Sequence, residues 1–269
     1  MDIKDPIQDT MVEDFWRTFF TDGPPIEKFR RNQFYRMLPS DSRCKFCQAP
    51  FDGLPGAFVK NVFHTYPSRY NPHYCNVCDD FSKKYQGGAE IPMTMLFADI
   101  RGSSELAEKI GPKAFSDLIN RFFVKSAHVL TGFGAMIEKL VGDEVAAVFT
   151  SGTAGENYFG QSIEAAKDLL RKTGHGIGKK PWVDIGIGIH SGIAFLGSIG
   201  NPDGIMEVAA LGDVPNTASR LTSLAGPGEI LVSEDTIKAA NLDSAGLEKR
   251  KLKLKGHEKE ITAFVITVS

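Results

Sequence analysis

Residues 183 to 190 read Val-Asp-Ile-Gly-Ile-Gly-Ile-His, a strict alternation that commits the segment to an extended strand. Val183, Ile185, Ile187 and Ile189 fall on one face of it. Other segments from residue 91 onward fit the same scheme. Met93 to Ala98 (MTMLFA) predicts a short apolar strand ending at Asp99. A helix begins near Ser103, and another runs from Pro112, a good first-turn residue, to about Leu130. The apolar runs Ala135 to Leu140 and Val145 to Phe149 are joined by Val141-Gly142-Asp143-Glu144, which predicts a hairpin with Gly142 in its turn. A helix is expected at about Ser162 to Lys172. Further apolar segments lie near 192–199, 206–211 and 229–233, with a last strand near 261–268. Strands alternating with helices around a hairpin predict a mixed sheet with helices packed on it.

The first third of the chain reads differently. Met11 to Phe20 places Val12, Phe15, Trp16, Phe19 and Phe20 at helical spacing, and Asp22-Gly23-Pro24-Pro25 interrupts it. A second helix is expected at about 26–37. Residues 41 to 80 show little periodicity but hold all four cysteines, as Cys44-x2-Cys47 and Cys75-x2-Cys78. In a reducing compartment two such pairs predict a metal site before disulfides. Four thiolates suit structural Zn²⁺, with iron–sulfur ligation or redox thiols as the alternatives. A segment this short has little core of its own, so a metal would help it fold. His64 and His73 lie nearby but are surplus to a four-cysteine set. Gln86-Gly87-Gly88-Ala89 is the expected joint, dividing a helical and metal-binding module at 1–88 from a larger domain at 89–269.

Composition excludes several classes. With 42% hydrophobic and 24% charged residues the chain is ordinary globular protein. A formal charge of −2, and no basic helix beside the cysteines, argue against nucleic acid as partner. No apolar run is long enough to span a membrane, and MDIKDPIQDT lacks a secretion signal's pattern, so a cytoplasmic location is expected.

Three segments carry chemistry. Asp99 stands at a strand end before Ile100-Arg101-Gly102-Ser103-Ser104, a turn into a helix whose N-terminal amides suit phosphate. Asp143 occupies the hairpin turn. Carboxylates at two adjacent strand ends suit a pair of Mg²⁺ ions on a triphosphate. Asn216 and Arg220 are four apart on one helix face, placed to orient a ribose and offset phosphate charge. Taken singly, an Asp in a turn is ordinarily turn chemistry, and a polar helix face is ordinarily solvated.

In combination, FADIRGSS, KLVGDEVAAVF and ALGDVPNTASRL resemble the catalytic signature of the class III adenylate and guanylate cyclases, from about Met93 to Val265. The segments CKFCQAPF and NPHYCNVC resemble an N-terminal module of some bacterial cyclases of this kind. The resemblance implies an α+β, ferredoxin-like catalytic domain with a mixed, mainly antiparallel sheet. It implies conversion of a nucleoside triphosphate, ATP by preference, to its 3′,5′-cyclic monophosphate and pyrophosphate, with two Mg²⁺ or Mn²⁺ per active site. Asp99 and Asp143 match the metal-binding aspartates and the Ile100 carbonyl a backbone metal ligand. Asn216 matches the ribose-positioning asparagine, Arg220 the transition-state arginine and Lys139 the lysine that reads adenine. Lys255 is a candidate for the triphosphate tail. It further implies a homodimer, with both aspartates from one chain and Lys139, Asn216 and Arg220 from the other.

One position departs from the pattern. The lysine's partner, seven residues before the asparagine, is commonly Asp or Thr and here is Ala209. That opens guanylate and pyrimidine (UTP or CTP) cyclases as alternatives. Gly142-Asp143-Glu144 superficially resembles the hairpin of diguanylate cyclases, but Val141 and Val145 do not fit it. A non-catalytic domain used for dimerisation or nucleotide binding is the remaining alternative.

Overall fold

A computed structural model describes residues 6–23, 34–40, 42–176, 178, 180–201, 203–254 and 260–269. The second expected helix lies outside them except for a helical turn at 34–37, and Lys255 also lies outside them. By contacts the chain forms two compact units. Unit 1 comprises Met1–Ile91, Ser151–Thr153 and Ala194–Leu211; unit 2 comprises Pro92–Thr150, Ala154–Ile193 and Gly212–Ser269.

The elements in chain order are α1 (Pro6–Thr21), α2 (Gly53–Phe63), α3 (Asn76–Lys84), β1 (Gly87–Ile100), α4 (Ser103–Ile110) and α5 (Pro112–Gly132). Then follow β2 (Met136–Val141), β3 (Glu144–Phe149), α6 (Ser151–Ala154), α7 (Tyr158–Thr173), β4 (Ile185–Gly200) and β5 (Met206–Leu211). The chain ends with α8 (Asp213–Leu224), β6 (Ile230–Ser233), α9 (Glu234–Ala239), β7 (Glu248–Leu252) and β8 (Ile261–Ile266). The described strands pair in the order β2-β3-β1-β4-β6-β8-β7, with β5 on β4. β4 and β6 run parallel; β1–β3, β2–β3, β4–β5, β6–β8 and β7–β8 are antiparallel. The sheet is therefore mixed and mainly antiparallel, as the sequence implies.

Unit 2 has three layers. Ile185, Ile187 and Ile189 of β4 join Leu96, Val145, Ile230 and Phe264 of neighbouring strands in one core, covered by Phe122 and Leu130 of α5 and Leu169 and Leu170 of α7. Strand periodicity sends Leu231, Ala263 and Val265 to the other face, where Leu221 and Ala225 at the end of α8 cover them. The glycines that alternate with the β4 isoleucines seat that helix. A β-carbon on Gly188 would lie 2.3 Å from the Thr222 backbone nitrogen and 2.4 Å from the Ala218 carbonyl oxygen. The Thr222 hydroxyl also donates to the Phe97 carbonyl of β1 at 3.2 Å.

In unit 1, Trp16 and Phe20 of α1 are buried, and Phe15 and Phe19 pack against Phe81 of α3. The Trp16 indole donates to the Tyr85 carbonyl at 3.0 Å. The expected joint at 86–89 is instead the start of β1. Its glycine serves close approach: a β-carbon on Gly88 would sit 2.4 Å from the Leu196 carbonyl oxygen of β4. The segments at 183–190 and 192–199 are one strand rather than two. β7 was not expected. Its sequence EKRKL carries charge along a sheet margin, where Arg250 holds Glu229 through two hydrogen bonds of 2.7 and 2.8 Å.

Gly188→Ala therefore forces α8 off β4, an overpacking that costs about 1–3 kcal/mol. Urea unfolding of the variant measures it; unchanged stability would contradict the seating.

Candidate active site and four-cysteine centre

The β1–β3 register places Asp99 opposite Glu144, so the turn residue Asp143 lies at the same end of the strand pair. The Ile100 amide donates to the Asp143 carbonyl at 3.3 Å, and the Arg101 amide to the Asp184 carbonyl at 2.8 Å, which fixes the chain on both sides of Asp99. Gly142 turns at φ 62°, in the region glycine favours. Asp99, Ile100, Gly102, Ser103 and Ser104 line a pocket of about 300 Å³. Gly102, at φ 63°, caps α4, so the amides of Ser103 and Ser104 have no intrahelical acceptor and face that end.

Burial, and after it like charge, disfavours ionised carboxylates at this corner. Burial, and then the Asp143 carboxylate, push Asp99 up to about 6 although Arg101 opposes the shift. Arg101 is ion-paired with Asp99 and reaches the Ala225 carbonyl at 3.4 Å. Burial, Asp99 and Asp143 push Glu144 up to about 7. Three crowded carboxylates beside an open pocket are an oxygen donor set for a hard divalent cation, whose charge would relieve the repulsion. Glu144 escaped the sequence reading because only the strand register brings it to Asp99.

Asn216 and Arg220 lie on α8; Asn216 is exposed and Arg220 half-buried, and neither side chain bonds to another of the described residues. The carboxylate corner is tethered through Arg101 to the far end of this helix, at Ala225. At 1.5 Å per residue, Asn216 stands roughly 13 Å back along the axis from that tether. Lys139 sits beside a bulge in β2, where the register against β3 shifts between Ile137 and Lys139. The bulge buries Glu138 and leaves Lys139 half-exposed, its ammonium 3.1 Å from the Glu138 carboxylate. Ala209 lies on β5 opposite Gly197 and is 8% exposed.

Cys44, Cys47, Cys75 and Cys78 are buried and unbridged, with all four sulfurs within 4.8 Å of one another. Tetrahedral coordination at ~2.3 Å spaces sulfurs roughly 3.8 Å apart; Cys47 and Cys75 are 3.6 Å apart. The Cys75 amide donates to the Cys44 sulfur at 3.3 Å, and the Cys78 amide to the Cys75 sulfur at 3.4 Å. Burial raises the Cys44 thiol, yet the hydrogen bonds it takes from the other three outweigh that and hold it well below the usual range. Hydrogen bonding to Cys44, Cys47 and Cys75, then burial, pushes the Cys78 thiol well up. One thiolate shared among protonated neighbours becomes four only with a cation, so the set fits a thiophilic metal.

Residues 88–267 match the family described as adenylate and guanylate cyclase catalytic domain, and the chain belongs to that family. It is 27% identical over 184 residues to an adenylate cyclase of Anabaena cylindrica, covering 65% of this chain and 36% of that one. The chain thus spans about a third of the length of the curated relatives it matches. Among solved structures, the guanylyl cyclase Cya2 is similar with TM-score 0.58 and 26% identity, covering 67% of this chain and 93% of that chain. The adenylyl cyclase CyaB from P. aeruginosa is similar with TM-score 0.58 and 25% identity, covering 68% and 96%. Among the described residues no helix is long and apolar enough to cross a membrane.

Because the Glu144 carboxyl is raised from 4.5 to about 7, the fold favours its protonated form, and this contribution is lost as pH rises through that window. In chelator-containing buffer, Glu144→Gln should melt higher than the parent at pH 8 and equally at pH 4. Equal melting at both values would contradict the burial and crowding of this carboxyl.

Proposed function

We propose that this chain is a nucleotide cyclase that converts ATP to 3′,5′-cyclic AMP and pyrophosphate, at sites shared between two copies of the chain. The observation that carries the reading is the carboxylate corner beside the α4 amides, on a fold of this family. Asp99, Asp143 and the Ile100 carbonyl would hold two Mg²⁺ or Mn²⁺ ions, which when bound acidify the ribose 3′-hydroxyl and neutralise the β- and γ-phosphates. The amides of Ser103 and Ser104 receive phosphate oxygens. Asn216 orients the ribose so that its 3′-oxygen faces the α-phosphorus in line. Arg220 offsets the charge that develops on the phosphoryl oxygens as pyrophosphate leaves. Lys139, aimed outward by its bulge, contacts the base, and Lys255 is assigned to the triphosphate tail.

The separation along α8 agrees with a shared site, Asn216 standing roughly 13 Å along the axis from the helix end that Arg101 ties to Asp99. Exposed Ile199, Ile205 and Leu211 on the β4–β5 hairpin support self-association. On this reading residues 89–269 are the catalytic domain and 1–88 a module built on structural zinc, in a cytoplasmic protein. The close sulfur spacing favours a single metal ion over a polynuclear iron–sulfur cluster. Ala209 favours a second reading for the base alone: with no polar side chain at 209 to read the base beside Lys139, GTP, UTP or CTP becomes the substrate of the same chemistry.

Incubation with Mn²⁺ or Mg²⁺ and each of the four nucleoside triphosphates, with products identified by mass spectrometry, tests this. Cyclic AMP should predominate and vanish in Asp143→Ala; predominance of another cyclic nucleotide would overturn the adenine assignment. Arg220→Ala should lower kcat by about 100- to 1,000-fold with KM little changed. Metal analysis of the purified chain should find one zinc per chain, lost in Cys75→Ser; labile sulfide with several irons would contradict it.

A further inference from the structure

β5 is paired with β4 along one side only among the described strands. Its other side is not left bare. The Asn71 side-chain amide donates to the Met206 carbonyl at 3.0 Å, and the Val208 amide donates to the Tyr74 hydroxyl at 3.0 Å. In an extended strand the carbonyl of one residue and the amide two further on point the same way, so these two side chains occupy places that a further strand would take. Both are almost fully buried, Asn71 at 2% and Tyr74 at 4% exposure, as are Met206 and Val208.

The turn that carries Asn71 and Tyr74 is built on the sulfur cluster. Tyr74 directly precedes Cys75, whose amide donates to the Cys44 sulfur. The Lys45 amide donates to the His73 carbonyl at 2.9 Å, joining the first cysteine pair to this turn. Within the turn, the Tyr74 amide donates to the Asn71 carbonyl at 3.0 Å and the Ser68 amide to the Tyr74 carbonyl at 2.9 Å. A second tie runs from the Ser198 hydroxyl of β4 to the Ser82 carbonyl of α3, at 2.8 Å. Ala209 follows Val208 directly, and Gly212 and Asp213 lead from the end of β5 into the helix bearing Asn216 and Arg220.

We infer that the four-cysteine module is a clamp on β5: Asn71 and Tyr74 are positioning residues that set where Ala209 stands, so the module with its metal controls which base is accepted. The inference rests on the cyclase reading and on Ala209 bordering the base. It assigns the module a role beyond its own folding, and it makes base preference dependent on metal content.

The full chain, metal-loaded, is compared with Tyr74→Phe, which removes only the accepting oxygen, and with Leu169→Val, a core variant in unit 2. Two readouts are taken: hydrogen–deuterium exchange of the segment 206–211, and kcat/KM for ATP and GTP. In Tyr74→Phe, exchange at Val208 should accelerate, and the ATP-to-GTP ratio should shift by about fivefold, mostly through KM. Leu169→Val should leave the ratio unmoved at equal loss of stability. Stripping metal with a chelator should accelerate exchange across 206–211 as Tyr74→Phe does. Unchanged exchange on stripping, or an unchanged ratio in Tyr74→Phe, overturns the clamp while leaving the cyclase reading intact. If no nucleotide is turned over even by the parent chain, the cyclase reading fails, and the exchange measurement alone decides the clamp.

Discussion

The register between β1 and β3 is the constraint on which the site depends. It sets Asp99 against Glu144 and brings the turn carboxylate of Asp143 to the same corner. A slip of one residue would send Asp99 to the opposite face of the sheet. The apolar residues of both strands prevent it, because Leu96, Ala98, Val145 and Ala147 belong to one buried core. A core that tolerates one register thus holds three carboxylates together in a partly buried corner, and burial first, then their mutual repulsion, raises the Asp99 and Glu144 carboxyls. Arg101 offsets part of it, and a divalent cation would offset more.

The same economy appears at α8. Gly186 and Gly188 sit on the face of β4 opposite its isoleucines, and their missing side chains let α8 lie directly on the strand. That contact pins the C-terminal half of the helix near the carboxylate corner, through Arg101 and Thr222. Asn216, near the other end, is carried away from it. One helix therefore carries a support for the carboxylate corner at its C-terminal end and Asn216 towards the other, and the proposed two-fold pair of chains would use both.

Much of this was legible in the amino-acid sequence, because strand ends and turns announce themselves. Asp99, Asp143 and the helix bearing Asn216 and Arg220 lie where apolar alternation and turn residues put them. The paired CxxC spacing likewise announced a four-sulfur cluster. What escaped depends on distant partners or on local backbone irregularity. Glu144 looks like a hairpin residue until the register is known. The bulge that exposes Lys139 leaves no mark in MIEKLV. Gly87 and Gly88 looked like a linker, yet Gly88 is needed where two strands come close. Asn71 and Tyr74 meet residues 135 and 134 positions away, so no local pattern reveals them.

On the proposed reading each nucleotide is cyclised between an aspartate pair of one chain and the Asn216/Arg220 face of another. Mixing two inactive chains tests it most directly. Asp99→Ala and Arg220→Ala are purified separately, each shown to be inactive, and then allowed to exchange subunits. Half the resulting dimers are mixed, and each mixed dimer has one intact site out of two, so activity should return to about a quarter of the parent's. Mixed dimers that form and remain inactive would mean that a single chain supplies all the groups, and the shared site would be wrong.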